Sequence, residues 1–231
     1  GLIRLSTAQM RRKPSVHAEL ISQTTMGSEV RVLKNKEDDL SSWWFLCQTE
    51  DDYLGWIMKS SLTMGNESFM DEWRQKDKLI VVVNYAQIFE EKSDKSKPVS
   101  DVVRGNLIAA IGKSWKWYEV ETPDGRKGYI HKKWVEKVED HFKKEVKAEH
   151  IVNTAYQYLG APYLWGGGSI KGADCSGFTQ SVFKFNGIQL LRDANMQVKE
   201  GEEVPLTNNL SHLKPADLLF WGRNADRITH V

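Results

Sequence analysis

One pattern occurs twice in the first part of this chain and limits what it can fold into. Residues 16–62 contain VHAELISQTTMGSEVRVL followed by SSWWFLCQTEDDYLGWIMKSSL; residues 99–135 contain VSDVVRGNLIAAI followed by KSWKWYEVETPDGRKGYIHKKWV. Gly27 aligns with Gly105, Trp44-Phe45 with Trp117-Tyr118, and Gly55-Trp56-Ile57 with Gly128-Tyr129-Ile130. Each copy therefore runs through a glycine turn, alternating apolar residues, a tryptophan strand and a closing Gly-aromatic-Ile strand. Period-two alternation places one side of each strand in a core and the other in water. The repeat predicts two small β modules of about 60 residues each. Seven of the nine tryptophans precede residue 135, as expected of aromatic-rich β modules.

Between the copies, residues 67–78 are polar, with Phe69 and Trp73 four apart, which suits a short linking helix that packs its apolar pair on a module. From His141 the pattern changes. Val146, Ile151, Val152, Ala155, Tyr156 and Leu159 recur at helical spacing until Gly160 and Pro162 end the run. A second helix is expected from about Asp174 to Gly187, with Phe178, Val182 and Phe185 on one face. A strand Leu218-Leu219-Phe220-Trp221 should follow a turn at Pro215-Ala216-Asp217, and Ile228-Thr229-His230-Val231 should form another. Helices followed by strands make this half α+β. The expected boundaries are 1–66 and 79–140 for the β modules, 67–78 for the linker and 141–231 for the last domain.

Charge excludes some partners. Lys and Arg total 32 against 31 Asp and Glu, so the chain offers no basic field for nucleic acid. The longest purely apolar run, Leu79 to Val83, falls far short of the roughly 18 residues of a membrane span. Two cysteines, Cys47 and Cys175, cannot build a disulfide framework. No basic-then-apolar leader opens the sequence, which leaves the compartment open, an extracytoplasmic one being favoured over the cytosol.

The chemistry concentrates in Tyr163-Leu-Trp-Gly-Gly-Gly-Ser-Ile-Lys-Gly-Ala-Asp-Cys-Ser-Gly-Phe. Its glycines at 166, 167, 168, 172 and 177 allow close backbone approach. Cys175 falls at the first turn of the expected helix, where unpaired N–H groups and the positive helix end favour the nucleophilic thiolate. A buried structural cysteine is the bland alternative; the glycines and the flanking polar Asp174 and Ser176 weigh against it. Cys47, in Trp-Trp-Phe-Leu-Cys-Gln, has neither feature and reads as core. A cysteine nucleophile needs a base that can be distant in sequence. Of six histidines, His230 alone sits in a short strand of alternating character, where it serves either as a packed residue or as that base. No second His or Cys stands at ligand spacing from Cys175, so neither a metal nor another cofactor is expected.

Two resemblances follow from these residues. The first 135 residues resemble bacterial SH3-like domains, whose last strand commonly reads Gly-Trp-Val/Ile. Trp165-Gly-Gly, Asp174-Cys175-Ser176-Gly177-Phe178, Gly187-Ile188, Arg192-Asp193 with Gln197, Pro215-Ala-Asp217-Leu-Leu-Phe220 and Thr229-His230-Val231 resemble the NlpC-type cysteine peptidases of bacterial cell walls. The resemblance implies two SH3-like β-barrels followed by a papain-like α+β domain that hydrolyses amide bonds in peptidoglycan stem peptides. With two such modules in front, the chain looks like the subgroup that cuts between γ-D-glutamate and the diamino acid of stems with a free N-terminal L-alanine.

Carried over, the resemblance makes Cys175 the nucleophile, His230 the base, and Tyr163 with the Cys175 N–H the oxyanion donors. Asp193 would hold the L-alanine ammonium, with Ser176 and Trp165 lining the pocket and Glu29 and Tyr53 of the first module completing it. Asp193 could also cap a short helix, and Glu29 and Tyr53 could be solvated surface positions. The partner is then a small peptide, and a monomer is expected. Ala216 stands where many relatives have glycine, in a turn expected to form without positive φ, and Ala194 stands where a serine is common. The family orients its histidine with a third polar residue on the strand after His-Val; nothing follows Val231, so an incomplete C-terminus is expected. The alternatives are a wall-peptide-binding protein with an impaired catalytic domain, or an endopeptidase or amidase acting on intact peptidoglycan.

Overall fold

The computed structural model describes residues 1–35, 43–204, 210–224 and 227–231, in two compact units, Gly1–Lys144 and Glu145–Val231. In the first unit, β1 (Leu2–Ile3) pairs with β7 (Leu62–Thr63), and a five-stranded antiparallel sheet is built from β2 (Thr7–Arg11), β3 (Leu20–Thr25), β4 (Arg31–Asn35), β5 (Trp44–Gln48) and β6 (Leu54–Met58) in the order β3-β2-β6-β5-β4. Its core gathers Ile3, Ala8, Met10, Val30, Phe45, Cys47, Ile57 and Leu62.

The second module repeats the plan with β8 (Lys78–Val81), β9 (Tyr85–Phe89), β10 (Pro98–Val103), β11 (Leu107–Lys113), β12 (Trp117–Glu121), β13 (Lys127–His131) and β14 (Val135–Lys137), in the order β10-β9-β13-β12-β11-β8-β14. The repeat holds at the level of single hydrogen bonds. Gly27 N–H donates to Ile3 O and Ile3 N–H to Ser28 O; Gly105 N–H donates to Val81 O and Val81 N–H to Asn106 O. Both glycines sit at positive φ, +86° and +83°, the turn conformation that a side chain disfavours. Cys47 pairs with Gly55 across the sheet, and Val120 with Gly128.

The linking helix α1 (Glu67–Gln75) is capped by Asn66, whose side chain accepts from Phe69 N–H. It buries Met70 and Trp73 in a cluster with Leu2 of the first module and Ala109 of the second, with Phe69 packed alongside. A short helix α2 (Val138–Phe142) lies against β8 and β14 and closes this unit. The break therefore falls at Lys144/Glu145, a few residues after the boundary read from the sequence, because His141 and Lys144 are both tied back to Glu136 (3.0 and 2.6 Å).

The second unit runs α3 (Ala148–Tyr156), the hairpin β15 (Gly168–Ser169) and β16 (Gly172–Ala173), α4 (Cys175–Phe185), α5 (Ala194–Gln197), β17 (Trp221–Gly222) and β18 (Ile228–His230). Helix α3 packs on α4. Ile151 and Val182 are buried, Phe178 meets Tyr158 edge to face at 5.4 Å, and Asn186 donates to Thr154 Oγ1. The fold class is α+β throughout this unit, with two antiparallel SH3-like sheets before it.

Two expectations need correction here. The strand foreseen over residues 218–221 begins only at Trp221, since β17 pairs solely through Trp221↔His230 and Gly222↔Ile228. The turn before it does use positive φ. Asp217 N–H donates to Lys214 O, Pro215 fills the second position, and Ala216, at φ +76°, takes the third, where a type II turn demands a left-handed residue.

Candidate active site

The loop ahead of α4 is laced to the segment that precedes the cysteine. Leu164 N–H donates to Ala173 O, Ala173 N–H to Pro162 O and Asp174 N–H to Gly167 O. Tyr163 forms an isolated parallel bridge with Ala173, which holds its backbone two residues from Cys175. Asp174 then caps α4. Its backbone is extended and its Oδ1 accepts from Gly177 N–H at 2.7 Å, so Cys175 becomes the first helical residue. There its N–H has no intrahelical partner and points outward with the positive helix end.

Helix α4 can start here because Gly177 lets it lie on the loop backbone. A Cβ at Gly177 would stand 1.9 Å from Gly167 O, inside any allowed contact. The rest of the first turn is held by Arg192, which is 2% exposed. Its Nη1 donates to Asp174 Oδ1 (3.1 Å) and Ser176 Oγ (2.9 Å), and its Nη2 to Asp174 Oδ2 (2.8 Å). Gln197, also buried, accepts from Thr179 Oγ1 and donates to Ser176 O and Leu191 O. The sequence reading gave Arg192 and Gln197 no role beyond membership of a motif. What could have exposed them is a charged and an amide side chain flanking Ala194 in an otherwise polar loop, a pattern that makes sense only if both turn inward.

Cys175 is partly exposed, whereas Cys47 is fully buried, with Sγ against Phe45 O and its thiol pushed up to about 12 by burial. Burial also pushes the Tyr163 phenol up, and the negative charges of Cys175 and Asp174 add to that direction, against Arg192. A tyrosine hydroxyl is ordinarily protonated at neutral pH and so can donate a hydrogen bond. Trp165, like Tyr163, is exposed beside this turn. Asp193 is the residue before α5; its carbonyl accepts from Met196 and Gln197 N–H, while its side chain makes no capping bond.

Helix α5 contacts both α4 and β18, so it bridges the cysteine helix and the strand that carries His230. His230 is exposed, and across the two-stranded sheet its ring faces Trp221 at 5.6 Å between centroids. Glu29 and Tyr53 belong to the first unit. Glu29 receives a forked contact from Arg74 of α1, with Nη2 at 2.8 Å, and Tyr53 packs against the first module's core. Among the described residues, no three His, Cys, Asp or Glu side chains are grouped to hold a metal ion, and no helix is long and apolar enough to cross a membrane.

The family model for the NlpC/P60 family matches residues 160–231, the stretch that holds Tyr163, Cys175, Asp193 and His230. Residues 160–231 are an NlpC/P60 domain. The family model for the bacterial dipeptidyl-peptidase Sh3 domain matches residues 10–62. The chain is 26% identical over 220 residues to dipeptidyl-peptidase 6 of Lysinibacillus sphaericus, covering 93% of this chain and 78% of that one. It is 28% identical to gamma-D-glutamyl-L-lysine dipeptidyl-peptidase of Bacillus cereus, covering 92% of this chain and 64% of the relative. Over 74 residues, 32% of this chain and 24% of the relative, identity to the Bacillus subtilis protein of the same name reaches 51%. The fold matches the crystal structure of an NlpC/P60 family protein from Bacillus cereus with a TM-score of 0.82 at 23% identity, over 99% of this chain and 85% of that one.

Proposed function

We propose that this NlpC/P60 chain is a monomeric cysteine endopeptidase that cuts the γ-D-glutamyl–diamino acid bond of peptidoglycan stem peptides carrying a free N-terminal L-alanine, a step of wall-peptide recycling. The observation that carries the reading is Cys175 at the capped, glycine-cleared start of α4 with Tyr163 bridged beside it. The relatives named dipeptidyl-peptidase supply the substrate class.

The Cys175 thiolate attacks the γ-carbonyl carbon of D-glutamate, and the electron pair of the C=O bond moves to oxygen. The Cys175 N–H and the Tyr163 hydroxyl stabilise that oxyanion, each preorganised donor contributing about 3 kcal/mol. The pair returns as the C–N bond breaks, and His230, protonated at the expense of the thiol, gives its proton to the leaving amine of the diamino acid. Water, deprotonated by His230, then attacks the thioester and releases L-Ala-D-Glu and the thiol. Asp193 supplies negative charge for the L-alanine ammonium, with Trp165 as a pocket wall; Ser176, buried with its Oγ on Arg192, braces the turn instead. Glu29 and Tyr53 of the first unit are further candidate substrate contacts.

The test is incubation with L-Ala-γ-D-Glu-diaminopimelate, following release of L-Ala-D-Glu, with Cys175→Ala as the control. Equal rates for the two proteins would end the reading. Acetylation of the substrate's amino group should abolish cleavage; a wild-type rate on the acetylated peptide would remove Asp193 as the ammonium's partner.

A further inference from the structure

We propose that Arg192 and Asp174 form a charge clamp that sets the reactivity of Cys175, with Arg192 acting as a positioning residue through the cap. The proposal deepens the cysteine-peptidase reading and rests on Cys175 being its nucleophile. Asp174 creates a conflict that the helix alone does not solve. As cap it starts α4 and places the Cys175 N–H, accepting from Gly177 N–H at 2.7 Å and from Gly166 N–H at 2.8 Å. As an anion adjacent to the cysteine it opposes a thiolate, because like charges at this range disfavour the second ionisation.

Arg192 answers that conflict. Its two terminal nitrogens reach both carboxylate oxygens, at 3.1 and 2.8 Å, in the forked geometry that makes carboxylate–guanidinium pairs strong and directional. Nη2 also lies 3.4 Å from Gly167 O, the carbonyl that Gly177 must approach, and Nη1 holds Ser176 Oγ. The guanidinium is thus bonded to both sides of the loop–helix junction. With the cap neutralised, the positive end of α4 is left for Cys175.

Other groups do not substitute for the pair. Strands β15 and β16 and helix α5 carry no titratable side chain. Helix α3 brings Glu149, His150 and Tyr156, and α4 itself brings Lys184, in its last turn at the end away from Cys175. Tyr163 feels the charges of Cys175, Asp174 and Arg192, and Asp174 and Arg192 both hydrogen-bond to the first turn of α4.

The experiment measures the pH profile of Cys175 carboxamidomethylation by iodoacetamide in the full chain, for wild type, Arg192→Gln, Arg192→Lys, Asp174→Asn and the Asp174→Asn/Arg192→Gln double variant. Arg192→Gln should move the midpoint to higher pH by about one unit or more, slowing alkylation about tenfold below it. Asp174→Asn keeps a capping side chain and should move the midpoint the other way. The double variant should return towards wild type, and Arg192→Lys, which keeps the charge but loses the fork, should hold the wild-type midpoint at a lower melting temperature. Opposite shifts are beyond a merely structural role; shifts of the same sign, or none, would overturn the clamp. Should Arg192→Gln give no cooperative melt, Asp174→Asn and Arg192→Lys decide the question alone. Alkylation needs no peptide, so failure of the proposed substrate leaves this measurement standing, and failure of the clamp leaves peptide cleavage standing.

Discussion

Gly177→Ala is the sharpest perturbation available, because two effects of opposite sign meet at one methyl group. In a helix, replacing glycine by alanine ordinarily stabilises by up to about 1 kcal/mol. At Gly177 the new Cβ would stand 1.9 Å from Gly167 O, with Asp174 Oδ1 also at 3.0 Å. Ordinary contact begins near 3.4 Å, so helix and loop must separate by well over an ångström. Neither can yield cheaply. Gly167 O accepts from Asp174 N–H, and the helix start is fixed by the Asp174 cap and by Arg192. Overpacking of this kind costs about 1–3 kcal/mol and exceeds the propensity gain. Net of that gain the loss reaches about 2 kcal/mol, which in a domain of this size lowers the melting temperature by up to roughly 8–16 °C. The cost to catalysis should be larger, since the displaced turn carries both the thiol and an oxyanion donor, and misplacement by about 1 Å can cost about 100-fold. Differential scanning calorimetry and kcat/KM on the free-amino stem peptide check both. A variant as stable and as active as wild type would refute the close approach of helix and loop.

The remaining predictions are narrower. Iodoacetamide at pH 7.5 should modify Cys175 and leave Cys47 untouched in the folded protein, because burial pushes the Cys47 thiol up to about 12; the check is peptide mass mapping before and after denaturation, and comparable labelling of both thiols would contradict the burial. Ala216→Gly should raise stability by about 0.5–1 kcal/mol by relieving the left-handed alanine at φ +76°, read as a higher melting temperature. Trp221→Ala removes the ring facing His230 and should lower kcat about tenfold with little change in KM, whereas a pure KM effect would make Trp221 a substrate contact. Glu29→Gln should raise KM about tenfold for the free-amino peptide, the loss expected when a charge-assisted contact becomes a neutral one, with kcat nearly unchanged.

The β half of this fold was legible almost to the hydrogen bond, and the reason is physical. Alternation reports which face of a strand is buried, and a repeat lets each copy check the other. Tyr53 and Arg126 occupy matching places in the two copies: each ends the same turn, where Thr49 and Thr122 bond an aspartate side chain and then the carbonyl of residue 53 or 126. In the second unit the helix of Cys175 was equally readable from its apolar face, whereas the capping role of Asp174 came from the structure. What was not readable was long-range polar burial. Arg192 lies far from Asp174 in sequence and in no periodic element, so nothing local marks it as buried, and Gln197 sits in a helix of one turn, too short to show a buried face by periodicity. The turn at Ala216 failed for another reason: alanine gives no hint of positive φ, which here is imposed by Pro215 and by closure between Lys214 and Asp217.

The duplication also sharpens where specificity should be sought in the first unit. Two copies of one backbone plan share their structural demands, so positions where the residue type changes at an equivalent backbone site are free of those demands in at least one copy. At the first such site, module two places Leu107, whose Cβ region fills the space over Gly27, while module one places Glu29, held by Arg74 of α1. At the second, Arg126 is used internally, bonding Asp124 and Val99 O, while Tyr53 packs on the core. The copy thus uses both positions for internal contacts, one apolar and one polar, while the original carries an anion and a phenol there. Glu29 is already neutralised in part by Arg74, which implies that a cationic ligand must compete with that guanidinium. Arg74→Ala therefore separates two roles for the carboxylate: if Glu29 reads the ammonium, the variant should lower KM for the free-amino peptide while the acetylated one stays uncleaved, whereas if Glu29 only anchors α1, the variant should lower the melting temperature and leave KM where it was.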